Sequence, residues 1–294
     1  MDKTVRYPNS IRNSIFSILA NAALSAVKLA AGIYGNSKSL IADAVHSLSD
    51  VAATLIVMLA LLISGKAPDR NHEYGHQRYE SLASLFLSII LGYVGVSIGI
   101  NGIKSIISGS FKTLPAPNIY TVFAAALSIL VKEFMFRRTM YVAKKEKSNA
   151  LKADAWHHRS DALSSVGSLA GIALAKLGFP IMDSVAAIII CVFIMKMAVS
   201  ILIDAVKSLT DCAAPPEMET EIRDSAESVE GVIKVDDLKT RIFGSGFYAD
   251  LEIEVDGSKT LDEAHEIAEA VHDRVTSGFP DIWHCMVHVN PSDS

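Results

Sequence analysis

One polar motif occurs twice in this sequence and decides how the chain folds. Residues 42–50 read ADAVHSLSD and residues 153–161 read ADAWHHRSD, so both copies match A-D-A-x-H-x-x-S-D. Each copy lies within a long apolar stretch, where ionisable side chains are rare and mark an ion pathway by default. The duplication predicts a membrane protein built from two halves of inverted topology, as in many secondary transporters.

Six segments meet or approach the length of about 20 apolar residues that a membrane-spanning helix needs. They cover residues 12–34, 39–64, 80–107, 118–142, 151–176 and 180–206. Of the 294 residues, 50% are hydrophobic, which is too many for a typical soluble domain of this length. Lys and Arg gather before the first segment, between the second and third, and between the fourth and fifth. By the positive-inside rule both termini face the cytoplasm, and we expect a protein of the inner or plasma membrane.

Charge separates the chain into two parts of opposite sign. Residues 1–210 carry a net charge of +9 from Lys, Arg, Asp and Glu, whereas residues 211–294 carry −14. Pro215 and Pro216 follow the last apolar segment and end its helix. The expected domains are a six-helix transmembrane transport domain, residues 1–210, and an acidic cytoplasmic domain, residues 211–294, whose charge argues against nucleic acid as a partner.

The acidic part shows the pattern of a small mixed domain. Amphipathic helices are predicted at residues 217–229 and 261–276, and strands at residues 233–243, 247–255 and 283–289. The order α-β-β-α-β predicts an open-faced α+β sandwich.

The repeated motif supplies a complete set of ligands for one metal ion. His46 and Asp50 are one helical turn apart on the same face, and His157 and Asp161 repeat that spacing. If the second and fifth helices face each other, two imidazoles and two carboxylates converge. This donor set suits tetrahedral Zn²⁺ best and tolerates Fe²⁺, Co²⁺, Mn²⁺ or Cd²⁺. The alternative is a set of buried polar residues that hydrogen-bond the helices together.

Other ionisable residues in the predicted spans have weaker assignments. Asp43 and Asp154 lie three residues before the repeated histidines and are expected to orient the imidazoles or handle protons, or equally to pack helices. His158 lies about 100° around the helix from the preceding histidine and is expected to face outward or an interface. Lys28, in the first segment, and Lys132 and Glu133, in the fourth, are expected to snorkel or to pair with each other.

The same ligands predict how transport is powered. Imidazole binds metal only when neutral and carboxylate only when ionised, so protons and metal compete for one site. Alternating exposure of that site would make a metal/proton antiporter, and the sequence has no Gly-x-x-x-x-Gly-Lys-Ser/Thr loop for a nucleotide. The alternatives are a passive divalent-metal channel, a metal sensor and an intramembrane metallohydrolase. We expect no enzyme, because a general base such as the Glu of His-Glu-x-x-His is missing.

These motifs, together with PDRNHEYGHQRYE at residues 68–80, resemble those of the cation diffusion facilitator family, the proton-coupled exporters of divalent transition metals. The resemblance covers essentially the whole chain. It implies homodimers joined through cytoplasmic domains with a metallochaperone-like α+β fold. It also implies a transport site on His46, Asp50, His157 and Asp161.

The resemblance implies further sites outside the spans. A looser metal site falls between the second and third helices, on Asp69, His72 and His76, where the two histidines have the spacing of ligands on a helix. The alternative is a solvated loop with incidental histidines. Arg78 and Asp211 match a charge interlock between the third helix and the cytoplasmic domain, with ordinary surface charge as the alternative.

Three residues of the cytoplasmic domain match family ligands, namely Asp236, His265 and His288. Some relatives have a histidine near the position of Leu251 and an aspartate after the final histidine, where this chain has Asn290. A fully occupied two-metal centre is therefore not expected. One weaker regulatory site across the dimer, or a domain that dimerises without metal, fits this departure.

Overall fold

Six long helices form the first two thirds of the chain. The computed structural model describes residues 8–34, 38–109, 119–176 and 181–292. The helices are α1 (Pro8–Tyr34), α2 (Lys38–Ser64), α3 (Arg78–Ser108), α4 (Ile119–Lys145), α5 (Asn149–Lys176) and α6 (Met182–Leu209). Each predicted segment falls on one helix, so the six-helix prediction is confirmed. Residues 118 and 180, where two predicted segments begin, lie outside the described residues.

The helices differ in how apolar they are. By length and composition, the stretches Asn9–Ala31, Arg78–Ser108 and Ala187–Leu209 can each cross a membrane. Helices α4 and α5 are similarly long but carry more ionisable residues. Charged groups within a span are tolerated where they face other helices rather than lipid, and such burial is observed for Asp50 and Asp154.

Helices α1, α2, α4 and α5 pack together, and α3 lies against α2 and α5. Small residues allow a close approach between α3 and α6. A methyl group at Gly99 would lie 2.6 Å from the Sγ atom of Cys191, and one at Gly95 would lie 2.9 Å from Ile194. The two helices therefore meet where α3 has no side chain, which is a common means of packing in membranes.

The chain divides into two compact units, residues 1–205 and 206–294. The second unit contains, in order, α7 (Pro216–Glu227), β1 (Lys234–Phe243), β2 (Gly246–Val255), α8 (Leu261–Gly278) and β3 (Ile282–Pro291). Strands β1 and β2 pair antiparallel through a hairpin, and β3 joins the other edge of β2 in parallel. The predicted α-β-β-α-β order is confirmed.

The core of this unit lies between the sheet and its two helices. The side chains of Leu251, Ile253 and Val255 alternate into this core along β2, as expected for a half-buried strand. On the helical side, Ile222 of α7 and Val271 of α8 are fully buried. Helix α8 begins with a capping box, in which the side chains of Thr260 and Glu263 each bond the other's backbone N–H group.

Candidate metal-transport site

Helices α2 and α5 bring three residues of the repeated motif together. Ligand atoms of Asp50, His157 and Asp161 all lie within 4.8 Å of one another, and the Nε2 atom of His157 is 3.2 Å from Oδ1 of Asp50. Asp50 and His157 are 2% and 5% exposed, so the group is shielded from solvent. His46 lies on α2 one turn before Asp50, but its side chain lies outside the described residues.

Small side chains lie on both helices. Ala53 and Ala60 of α2 belong to the same buried cluster as Ala150 and Ala153 of α5. Residues of this size let helix backbones approach closely in membranes.

A lysine that sequence reasoning assigned elsewhere completes the cluster. The Nζ atom of Lys132, on α4, lies 2.5 Å from Oδ2 of Asp50 and 2.8 Å from Oδ2 of Asp161. Lys132 is buried, so the expectation that it snorkels is wrong. Glu133 is not its partner either, because that carboxylate binds Arg137 at 2.7 Å.

The position of Lys132 at the middle of its helix predicts an acidic partner from the sequence alone. It lies thirteen residues from each end of α4 (Ile119–Lys145), which is about 20 Å along the axis. A lysine side chain cannot cover that distance to reach water at either end. A cation at the middle of a span therefore indicates an acidic partner inside the bundle.

Two other polar residues of α5 form a separate contact. Asp154 accepts a hydrogen bond of 3.0 Å from the hydroxyl of Thr54 on α2, and its Oδ2 atom lies 3.6 Å from Nε2 of His158. Both residues are fully buried. Of the two alternatives expected for His158, an outer face and an interface, its burial fits the interface. Asp43 lies on α2, and its side chain lies outside the described residues.

A cavity of about 290 Å³ reaches Asp50 and Asp161. Its other lining residues are Lys28, Ser47, Tyr93, Val94, Ser97, Ile98, Asn101, Ser128, Lys132, Ser160, Ser164 and Ser165. A second cavity of about 250 Å³ shares Ile98, Asn101 and Ser164 with it. Hydroxyl and amide groups line both, so water and hydrated ions can approach the carboxylates from this end of the helices.

The loop between α2 and α3 forms a second cluster of potential ligands. Oδ1 of Asp69 lies 3.4 Å from Nδ1 of His72, and Oδ2 of Asp69 lies 3.3 Å from Nε2 of His76. Backbone hydrogen bonds from His72 and Asn71 hold the pKa of Asp69 below its usual value, so this carboxylate is ionised and available. The spacing of the histidines does not place them on a helix, because the chain turns at Gly75 with φ of +92°.

Two parts of the chain match known protein families. Residues 14–210 match the family described as "Cation efflux transmembrane domain", and residues 214–292 match "Cation efflux protein, cytoplasmic domain". The chain belongs to the cation diffusion facilitator family. It is therefore an integral membrane protein that transports divalent metal cations, and it is not an enzyme.

Several relatives of this cation diffusion facilitator align over nearly their whole length. An uncharacterised transporter of Methanocaldococcus jannaschii is 38% identical, over 95% of this chain and 97% of its own. An uncharacterised transporter of Bacillus subtilis is 33% identical, over 100% of this chain and 99% of its own. The protein named manganese efflux system protein MneS, from the same organism, is 33% identical over 95% of this chain and 94% of its own.

In the second unit of this family member, the three expected ligands lie on three different elements. Asp236 on β1 binds Lys234 at 3.0 Å and accepts a hydrogen bond of 3.1 Å from Asn290. These partners, Lys234 above all, hold the pKa of Asp236 below its usual value. His265 and His288 are exposed on α8 and β3. Within the described part of one chain these residues form no metal cluster, and a site shared across a dimer stays a prediction.

The expected charge interlock involves residues of different units. Arg78 is the first residue of α3. Asp211 follows α6 in the second unit and has a positive φ of 55°. Pairing of Arg78 with Asp211 stays a prediction.

Proposed function

We propose that this protein exports divalent transition-metal cations, with Zn²⁺ preferred, from the cytoplasm in exchange for protons. The proposed transport site consists of His46, Asp50, His157 and Asp161. The observation that carries this proposal is the meeting of Asp50, His157 and Asp161 within 4.8 Å inside the helical unit. Two carboxylates and an imidazole that converge inside the helical unit offer the oxygen and nitrogen donors that a divalent transition-metal ion binds.

The choice of Zn²⁺ follows from the nitrogen donors. Imidazole favours Zn²⁺ over Mn²⁺, which prefers carboxylate and water oxygens. The relative named manganese efflux system protein MneS supports Mn²⁺ as the second candidate. The two cations compete for the same ligands, so their relative transport rates decide between them.

Proton exchange follows from the chemistry of the same side chains. The imidazoles must be neutral and the carboxylates ionised to hold a metal, so metal binding on one side releases protons there, and proton binding on the other side releases the metal. The duplicated motif in two halves of the chain supports a carrier with alternating access rather than a channel. Two cavities near the site lie toward the end of the helices that the proposed orientation places away from the cytoplasm.

The proposal includes the assembly and its location. Two copies of the chain form a homodimer through the cytoplasmic domain, residues 211–294, in the inner or plasma membrane. Both termini face the cytoplasm, and residues 1–210 span the lipid bilayer. The match of residues 214–292 to a cytoplasmic domain of the family supports this arrangement.

The loop cluster and the cytoplasmic residues take secondary parts in this proposal. Asp69, His72 and His76 bind a metal ion weakly at the cytoplasmic mouth, supported by the contacts of Asp69 with both imidazoles. Asp236, His265 and His288 contribute at most one regulatory site across the dimer.

The test is metal uptake into proteoliposomes with an imposed pH gradient and a recorded lumenal pH. Wild-type protein should move Zn²⁺ faster than Mn²⁺ with proton counterflow, and Asp161→Asn should abolish both fluxes. The matched control is Asp204→Asn, which removes a carboxylate paired with Lys152 at 2.8 Å outside the proposed site. Full transport by Asp161→Asn would remove the proposed site, whereas metal flux without proton counterflow would favour a channel.

A further inference from the structure

Lys132 occupies the place where a cation bound by the two carboxylates would lie. Its ammonium group bridges Oδ2 of Asp50 and Oδ2 of Asp161 at 2.5 and 2.8 Å. The side chains of Lys132, Asp50 and Asp161 are only 3%, 3% and 10% exposed. The ammonium thus arrives from α4 and binds one residue on each of α2 and α5.

A carrier that returns without its cargo has to bury the ligands without the metal. Two carboxylates a few ångströms apart repel each other strongly when little water screens them. A fixed ammonium between them supplies one positive charge and satisfies one oxygen of each carboxylate with a charge-assisted hydrogen bond. Neighbouring Glu133 does not compete for this lysine, since it is bound to Arg137.

On the basis of the proposed transport site, we propose that Lys132 is the tethered counter-cation of the metal-free carrier, in which the exchanged protons return on the imidazoles and the two carboxylates stay paired with the ammonium. Its ammonium neutralises Asp50 and Asp161 when no metal is bound, and an incoming metal ion must displace it from both. The carrier can then close and return with its carboxylates paired. This role concerns a fixed positive charge and needs no change in the protonation of the lysine.

The same contact favours divalent over monovalent cargo. A sodium or potassium ion would replace one single charge with another and would also have to lose its water. A divalent ion brings a second charge, which compensates for displacing the ammonium. Lys132 therefore raises the charge that a cation needs in order to enter the site.

The first arm of the test measures binding of Zn²⁺ to purified protein in detergent by calorimetry at one pH. Lys132→Met removes the competitor, so Zn²⁺ should bind more tightly by about tenfold or more. Lys152→Met is the matched control, because it breaks a lysine–aspartate pair with Asp204 at 2.8 Å away from the site, and its Zn²⁺ affinity should equal that of wild type. Lys132→Arg keeps the charge and should not bind more tightly.

The second arm compares two kinds of transport by the same variants in proteoliposomes. Exchange of external for internal Zn²⁺ never requires the metal-free carrier to return, whereas net uptake does. Lys132→Met should keep exchange and lose net uptake by about tenfold or more. Equal effects on exchange and net uptake, or unchanged Zn²⁺ affinity, would overturn the role of Lys132.

Two checks keep the outcomes separate. If wild-type protein showed neither exchange nor proton-driven uptake, the proposed function would fail, and the binding arm would still report on Lys132. Folding of each variant is assessed by gel filtration and thermal unfolding. If Lys132→Met did not fold, Lys132→Gln would take its place, since it keeps a polar group in contact with the carboxylates without the charge.

Discussion

The hydroxyl of Thr54 on α2 donates a 3.0 Å hydrogen bond to Asp154 on α5. Thr54 lies one turn after Asp50, and Asp154 lies almost one turn before His157. Thr54 and Asp154 are both fully buried. This bond therefore ties α2 to α5 one turn away from the proposed ligands and sets the register in which those ligands meet.

Valine has nearly the same shape as threonine. Replacing Thr54 with valine should therefore remove the hydrogen bond to Asp154 and keep the packing around it. The buried Oδ1 atom of Asp154 would lose its partner, and the helical unit should lose about 1 kcal/mol of stability. Because the helix register positions Asp50 against His157, Zn²⁺ affinity should fall by about tenfold as well. Thermal unfolding and calorimetry in detergent measure the two effects.

Thr139→Val is the matched control for Thr54→Val. Thr139 on α4 accepts a 2.9 Å hydrogen bond from Asn13 on α1, so this variant also removes a buried bond between helices. It should lose similar stability and keep its Zn²⁺ affinity. A loss of affinity in both variants would mean that general loosening, rather than the α2–α5 register, controls the site.

The sequence predicted the features that depend on local spacing. Helical periodicity places His157 and Asp161 on one face of α5. The alternation of apolar and polar residues places Leu251 and Ile253 in the core of the second unit, and both are buried there. The pairing of α2 with α5 could be expected from the duplicated motif. Local spacing does not specify which third helix contributes a charge, so the contact of Lys132 with Asp50 required the packed structure.

Local geometry alone left two positions unresolved. The angle of His158 from His157 allowed an outer face or an interface, and the structure places it at an interface, because α2, α3 and α4 pack around α5 and bury that face. His72 and His76 have helical spacing, but Gly75 between them adopts a left-handed conformation that ends any helix. The imidazoles still approach, with ring centres 4.4 Å apart, because the loop folds back on itself.

The loop cluster can be tested apart from the proposed transport site by working in an Asp161→Asn background. Full-length protein of that background should still bind Zn²⁺ weakly, and adding His72→Ala should remove this binding, since it deletes one of three ligands. Calorimetry with Zn²⁺ measures both. The control is Glu73→Gln, a change in the same loop outside the cluster, which should leave binding unaltered. Binding that survives His72→Ala would place the residual metal elsewhere.

Cys285 provides a test of the cytoplasmic fold. It is 4% exposed, and burial, aided by the negative charge of Asp250, raises the pKa of its thiol to about 11. Only the thiolate is nucleophilic, so at pH 8 alkylation should be slower than that of a free thiol by about 100-fold or more. The rate should rise as the pH increases toward 11.

The measurement uses a Cys191→Ser, Cys212→Ser variant in which Cys285 is the remaining cysteine. Iodoacetamide labelling is followed by mass spectrometry across the pH range, with glutathione as the free-thiol reference. Addition of urea should restore ordinary reactivity at pH 8. Rapid labelling of the folded protein at that pH would contradict the burial of β3 in the sheet.

The approach of α3 to α6 predicts opposite results for two glycines on one helix. A methyl group at Gly99 would lie 2.6 Å from Sγ and 3.1 Å from Cβ of Cys191, whereas one at Gly92 would lie 3.9 Å from the nearest side-chain atom, in Ala198. Gly99→Ala should therefore destabilise the helical unit by about 1–3 kcal/mol through overpacking. Gly92→Ala should be neutral or slightly stabilising, because alanine is the better helix former.

Thermal unfolding in detergent compares the two variants, and a second substitution identifies the cause. Cys191→Ala removes the atom that the new methyl group would strike, so the double variant Gly99→Ala, Cys191→Ala should recover most of the lost stability relative to Cys191→Ala alone. Residues in contact are expected to show such non-additivity. Simple addition of the two losses would mean that α3 and α6 do not meet at Gly99, and equal losses for Gly92→Ala and Gly99→Ala would lead to the same conclusion.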